Sequence, residues 1–134
     1  MDMQKMMDAM SQSMRNTRKD YHLTLGGLIK VLEEVPKETN IVFSDGTNVG
    51  SEMSYRGYYS DLSFEIQKDI KKASDLLKQC KKALNKKYYG YKGGDFLMDA
   101  DTPLWKSEYG DCGEAIMGSV VNNGTLVLVT RKID

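Results

Sequence analysis

The stretch Thr24–Gly46, TLGGLIKVLEEVPKETNIVFSDG, decides the fold. Thr24 is a helix-capping residue, because its hydroxyl accepts a hydrogen bond from a free first-turn N–H. Leu25, Leu28, Ile29, Leu32 and Val35 then recur at the spacing of one helix face. Pro36 stops the helix, having no N–H to donate. Asn40–Ser44, with Ile41, Val42 and Phe43 at its centre, reads as a short strand, and Asp45-Gly46 as a hairpin turn. A helix feeding straight into a hairpin points to an α+β domain.

Working outward, Thr47–Arg56 and Tyr59–Ile66 read as extended segments broken by Gly57. Ile66, Ile70, Ala73, Leu77, Cys80 and Leu84 recur every three or four residues. That spacing predicts a second helix over about 67 to 85. Its outer face carries Lys68, Lys71, Lys72, Lys78, Lys81, Lys82, Lys86 and Lys87. A solvated face is the default reading of such a run, and contact with an acidic surface the alternative. Tyr88–Met98 reads as a strand bent at Gly93-Gly94, and Glu114–Val121 with Thr125–Lys132 as a hairpin around Asn122-Asn123-Gly124. At the other end, Met3, Met6, Met7, Met10 and Met14 form a stripe at helical spacing. It suits either the domain's own core or a contact between subunits, since methionine adapts to irregular surfaces. The expectation is a single α+β domain over residues 1–134. It has an antiparallel sheet of about five to six strands, two packed helices, and an N-terminal amphipathic helix within 1–19 that precedes a core over 21–134.

The chain has 134 residues, with 40% hydrophobic and 28% charged side chains, which suits a globular domain with its own core. Its formal net charge of zero disfavours general binding along double-stranded nucleic acid. No run of about 18 apolar residues exists, so no membrane span is expected, and the mixed N-terminus does not read as a signal peptide. A cytosolic setting follows as an expectation. Cys80 and Cys112 give a weak basis for a disulfide or a metal site, and His22 is the single histidine. A metal centre and a Ser-His-Asp device are both disfavoured.

The chemistry concentrates in Tyr88–Gly113, YYGYKGGDFLMDADTPLWKSEYGDCG, which holds four tyrosines, five glycines, four aspartates and the only tryptophan. Aromatic faces stack, glycines admit close backbone approach, and carboxylates accept hydrogen bonds; together they suit a small planar polar ligand. Tyr89 and Tyr91 share a face if the segment is a strand, fit either for stacking on a base or for cross-strand packing. Lys92, inside Gly90–Gly94, places a cation beside backbone N–H groups and suits pyrophosphate, although a glycine bend alone is an ordinary β-bulge. Asp99, Asp101 and Thr102 either accept hydrogen bonds from ribose or amine groups or simply make a turn before Pro103. Trp105 is most simply core. In the second aromatic run, SYRGYYSD at Ser54–Asp61, Tyr55 and Arg56 read as ligand contacts, Arg56 to phosphate unless it sits in a surface ion pair. Arg131 is a weaker cationic candidate.

The segments SYRGYYSDLSFE, YGYKGGDFLMDADTPLW and YGDCGEAI, between about Tyr21 and Arg131, resemble the phage anti-Thoeris sponges, the Thoeris anti-defence protein one family. The resemblance implies an oligomeric, non-enzymatic protein in the host bacterial cytosol. Such a protein binds a cyclic ADP-ribose isomer, in some members also cyclic oligonucleotides, and so blocks anti-phage defence. It also implies that Tyr89 supplies the stacking ring and Asp99 with Asp101 the polar contacts. The family expects an amide where Asp99 stands, and a carboxylate close to a pyrophosphate would repel it. The expected partners are therefore a cyclic nucleotide signal and further copies of the chain, with no cofactor. The alternatives are a nucleotide-processing enzyme, with Asp99 or Asp101 as base and Arg56 or Lys92 holding phosphate, and a protein-binding inhibitor of a host factor.

Overall fold

A computed structural model describes residues 22–55, 58–89, 94–107 and 113–132, with 58 and 59 described through their backbone. The elements in chain order are α1 (Leu25–Glu34), β1 (Asn40–Phe43), β2 (Asn48–Tyr55), β3 (Tyr58–Gln67), β4 (Lys71–Lys72), α2 (Ala73–Ala83), β5 (Lys87–Tyr89), β6 (Asp95–Leu97), β7 (Leu104–Lys106), β8 (Glu114–Asn122) and β9 (Thr125–Arg131). The methionine-rich segment expected as an N-terminal helix lies outside the described residues.

Local chemistry accounts for the first elements. Thr24 holds an extended backbone and its Oγ1 accepts from Gly27 N at 3.1 Å, capping α1. Leu25, Leu28 and Leu32 are buried, and the helix gives way to extended Val35 immediately before Pro36. Gly46, at φ 87, makes the turn into β2. Asn123 and Gly124, at φ 51 and 78, make the tight turn between β8 and β9, both in the left-handed region that such hairpins need.

The second helix starts later than its apolar period suggests. Ile66 pairs with Val49 at the end of β3, and Lys71-Lys72 pairs with Ile41 and Asn40 before α2 opens at Ala73. Ile66 and Ile70 are 45% and 58% exposed, so their four-residue spacing reflects no buried helix face. Backbone partners on β1 and β2 outweigh a helix extension whose apolar residues would gain no burial.

Among the described residues, seven strands form one sheet in the order β2-β3-β7-β8-β9-β1-β4, and β5 with β6 makes a separate two-stranded sheet. The fold is α+β with two packed helices, as expected, but the large sheet is mixed. β1 runs parallel to β9 and β3 parallel to β7. The 68–103 crossover, carrying α2 and the β5–β6 hairpin, returns β7 beside β3 in the same direction, as parallel neighbours require.

β1 also pairs with β2 through Val42↔Asn48, so the ladder β1-β2-β3-β7-β8-β9 closes on itself. One edge of β1 is therefore shared, its start with β4 and its end with β2. Where β2 and β4 diverge, Gly50 O accepts from Lys71 Nζ at 2.9 Å and from Gln79 Nε2 at 2.8 Å, and Lys71 Nζ also donates to Gln79 Oε1. Burial lowers the Lys71 pKa, with Glu52 opposing the shift. Leu23 fills another gap: its N–H donates to Ile116 O and its carbonyl accepts from Leu104 N, wedging it between β7 and β8.

One core lies between the sheet and the helices. It joins Leu25, Leu28 and Leu32 of α1 to Leu76, Cys80 and Ala83 of α2 and to Ile41, Phe43, Leu62, Phe64, Leu104, Ile116, Leu126 and Leu128 of the sheet. Lys106 shares this buried side. Its Nζ reaches Asp45 at 2.5 Å and Glu114 at 3.2 Å, with the Phe43 ring centroid 5.6 Å away. The ammonium is fully buried, so the carboxylates and the ring face replace its water.

Candidate ligand-binding surface

The β5–β6 hairpin presents two unlike faces. Its cross-strand pairs are Lys87↔Leu97, Tyr88↔Phe96 and Tyr89↔Asp95. Alternation along each strand puts Tyr88 and Phe96 together against the core, and Lys87, Tyr89, Asp95 and Leu97 on the solvent side. Tyr89 is 78% exposed and Leu97 54%. An aromatic ring, an apolar side chain, a cation and a carboxylate therefore share one open surface of the hairpin. Tyr88 plays the opposite part. Lys86 Nζ lies 5.1 Å from its ring centroid, and burial, then Glu52 and Cys80, pushes its phenol up to about 12.

The Asp99–Thr102 segment is a turn whose polar atoms serve the fold. Asp99 Oδ1 accepts from Asp101 N, and Thr102 Oγ1 accepts from Asp99 N, each at 2.9 Å. Thr102 is fully buried. The carbonyls of Thr102 and Ala100 accept from Leu25 N and Gly26 N, so this turn caps the start of α1. The approach is close: a Cβ on Gly26 would lie 2.9 Å from Ala100 Cβ. Tyr89 pairs with Asp95 at the start of β6, whereas Asp99 lies beyond the strand's end at Leu97. The stacking candidate and the acidic turn occupy opposite ends of the hairpin.

Tyr55 belongs to a second cluster, on the sheet face away from the helices. Its ring stacks on Trp105 with centroids 4.3 Å apart and 11° between planes, and its Oη accepts from Gly113 N at 2.9 Å. Trp105 donates its indole N–H to Asp61 Oδ2 at 2.8 Å, and His22 meets it edge-on at 4.5 Å. A Cβ on Gly113 would lie 2.5 Å from Lys106 O and 2.7 Å from the Tyr55 ring, so only glycine fits between them at this position. Cross-strand register sets Ser63, Trp105, Ala115 and Arg131 in one row, which puts exposed Arg131 on the same face as Tyr55.

The sequence candidates thus divide. Tyr55 and Arg131 share one face, Asp99, Asp101 and Thr102 form a turn at α1, and Tyr89 stands on the hairpin. Arg56, Tyr91 and Lys92 lie outside the described residues. Asp95 is one of the aspartates that the sequence offers as hydrogen-bond acceptors, whereas Lys87 reads there only as part of the lysine run; the two-residue period of a strand that includes Tyr89 is the signal that places both beside it. Among the described residues no group of three or more His, Cys, Asp or Glu is arranged to hold a metal ion, and no helix is long and apolar enough to cross a membrane. Comparison with protein-family models, curated proteins and solved structures gave no match.

Proposed function

We propose that this protein is a phage-encoded sponge that binds a cyclic nucleotide immune signal, of the cyclic ADP-ribose isomer class, and withholds it from a bacterial defence effector. The observation that carries the reading is the open ring of Tyr89, flanked on its own face by Lys87 and opposite Asp95. A tyrosine so exposed contributes little to the core, while stacking a base on it contributes about 1–3 kcal/mol. Lys87 suits a phosphate and Asp95 an amine or hydroxyl donor. Arg56 and Lys92 extend the same proposal as phosphate contacts, and their alanine variants are expected to bind about tenfold more weakly. The chain acts in this scheme as an oligomer in the host cytosol and performs no chemistry on its ligand.

The test is retention. Protein incubated with cyclic ADP-ribose isomers is desalted and denatured, and the released material is analysed. Unchanged ligand is the expected result, a converted product identifies a nucleotide-processing enzyme, and no retained material refutes sequestration of this class. Calorimetric titration of Tyr89→Ala is expected to lose about 1–3 kcal/mol of binding, with Tyr89→Phe retaining it. If Tyr89→Ala binds as the parent does, the ring is not the stacking surface.

A further inference from the structure

We infer that the lysine face of α2, continued by β5, binds a short single-stranded polynucleotide. Five lysines and no carboxylate lie between Leu77 and Lys87. Lys78, Lys81 and Lys82 stand at i, i+3 and i+4 on α2, opposite buried Leu76, Cys80 and Ala83, and all three are exposed. Lys87 follows on the solvent face of β5. Among the described residues, Lys78, Lys81, Lys82 and Lys87 have no ion-pair partner, whereas Lys72 is paired with Glu38 and Lys106 with Asp45 and Glu114.

Helix-end electrostatics accounts for only part of this. Lys81 and Lys82 stand in the last turn of α2, where cations offset the helix dipole. Lys78 lies a turn earlier and Lys87 beyond the helix, so neither is explained that way. The neutral net charge argues against a wrapped duplex but not against a row of a few cations on one surface. An acidic peptide would satisfy the lysines alone. Exposed Tyr89, on the same strand face as Lys87, favours a ligand that has bases to stack. The inference shares Tyr89 and Lys87 with the sequestration proposal but rests on Lys78, Lys81 and Lys82, and a linear probe with variants at those three lets the two fail separately.

The test is fluorescence anisotropy with a labelled oligothymidylate of about 12 nucleotides. Four phosphate contacts on a single strand give a log–log salt slope of about −2.8, an affinity loss of about fifty-fold between about 50 and 200 mM salt. Lys78→Gln/Lys81→Gln/Lys82→Gln, at exposed positions that leave the fold intact by circular dichroism, is expected to reduce the slope to about −0.7. Tyr89→Ala is expected to weaken the parent complex about tenfold while leaving the slope alone. No binding at about 50 mM salt, or a triple variant that keeps the parent slope, overturns the inference. Equal affinity for polyglutamate, with no effect of Tyr89→Ala, assigns the surface to acidic protein segments instead and equally overturns it.

Discussion

Replacing Lys106 with methionine tests whether its buried ammonium holds the turn after β1 to the start of β8. Methionine keeps much of the volume beside Phe43 and removes the charge. Without the ammonium, Asp45 loses a partner at 2.5 Å and Glu114 one at 3.2 Å. In the fold, burial alone would raise the Asp45 carboxyl, but hydrogen bonds from Lys106 and Thr47 outweigh it and hold the pKa at about 2 against an ordinary 3.8. A displacement of that size corresponds to about 2.4 kcal/mol at 1.36 kcal/mol per unit. Thr47 supplies part of that displacement and stays in the variant, and the Asp45 side chain is 42% exposed to screening solvent, so the share that Lys106 carries falls to about 1 kcal/mol. The bond to Glu114, 21% exposed, adds about 1 kcal/mol more. Lys106→Met should therefore cost about 2 kcal/mol near neutral pH, lowering Tm by about 6–10 °C for a domain of this size. The sign with pH follows from the depressed folded pKa. The Asp45 contribution is complete above 3.8 and fades as pH falls towards about 2. Paired thermal melts of parent and variant at neutral pH and near pH 2 measure the gap at both ends. A variant as stable as the parent at neutral pH, or an undiminished gap near pH 2, refutes the reasoning.

Three further substitutions and one deletion probe other parts of the molecule. Trp105→Phe keeps a ring against Tyr55 but removes one donor from buried Asp61, so urea unfolding should show a loss of about 1–3 kcal/mol. Tyr88→Phe removes a buried hydroxyl that has no hydrogen-bond partner among the described residues, so its stability should equal or exceed the parent's by up to about 1 kcal/mol. Burial, with Glu52 adding to it, pushes the Cys80 thiol up to about 12. In a Cys112→Ser background, Cys80 should ignore a thiol reagent at pH 8 until urea unfolds the chain; prompt reaction in the native protein contradicts its burial. Deleting residues 1–17 should lower the mass seen by light scattering if the methionine stripe joins subunits, and an unchanged mass removes that role.

What could be read from sequence was what local chemistry decides. Thr24, Pro36, Asp45-Gly46 and Asn123-Gly124 mark their caps and turns because each needs a particular backbone angle or a particular missing or supplied hydrogen bond. What could not be read depends on distant partners. Ile66 and Ile70 mimic a helix period, and only the position of Val49 across β2 makes Ile66 a strand residue. Leu104–Lys106 carries no alternating pattern, because all three side chains are buried and the lysine finds its carboxylates 61 and 8 residues away. In the candidate sites, an aromatic-rich composition did not give the direction of each ring. Tyr55 lies flat on Trp105, whereas Tyr89 stands in solvent, a difference set by register and by Gly113.

The pairing of β1 with β9 has a consequence for synthesis. Asn40 and Thr125 are partners across a separation of 85 positions (125 − 40), and the closure of the ladder depends on that pair and its three neighbours. A nascent chain emerging from the ribosome would display Ile41 and Phe43 with no parallel neighbour until β9 had cleared the exit tunnel. Long-range parallel pairing of this kind is slow to form, and the waiting strand edge is open to wrong partners. The Lys71-Lys72 segment and β2, both translated earlier, pair with the opposite edge of β1, so the edge that awaits β9 stays open until β9 itself arrives.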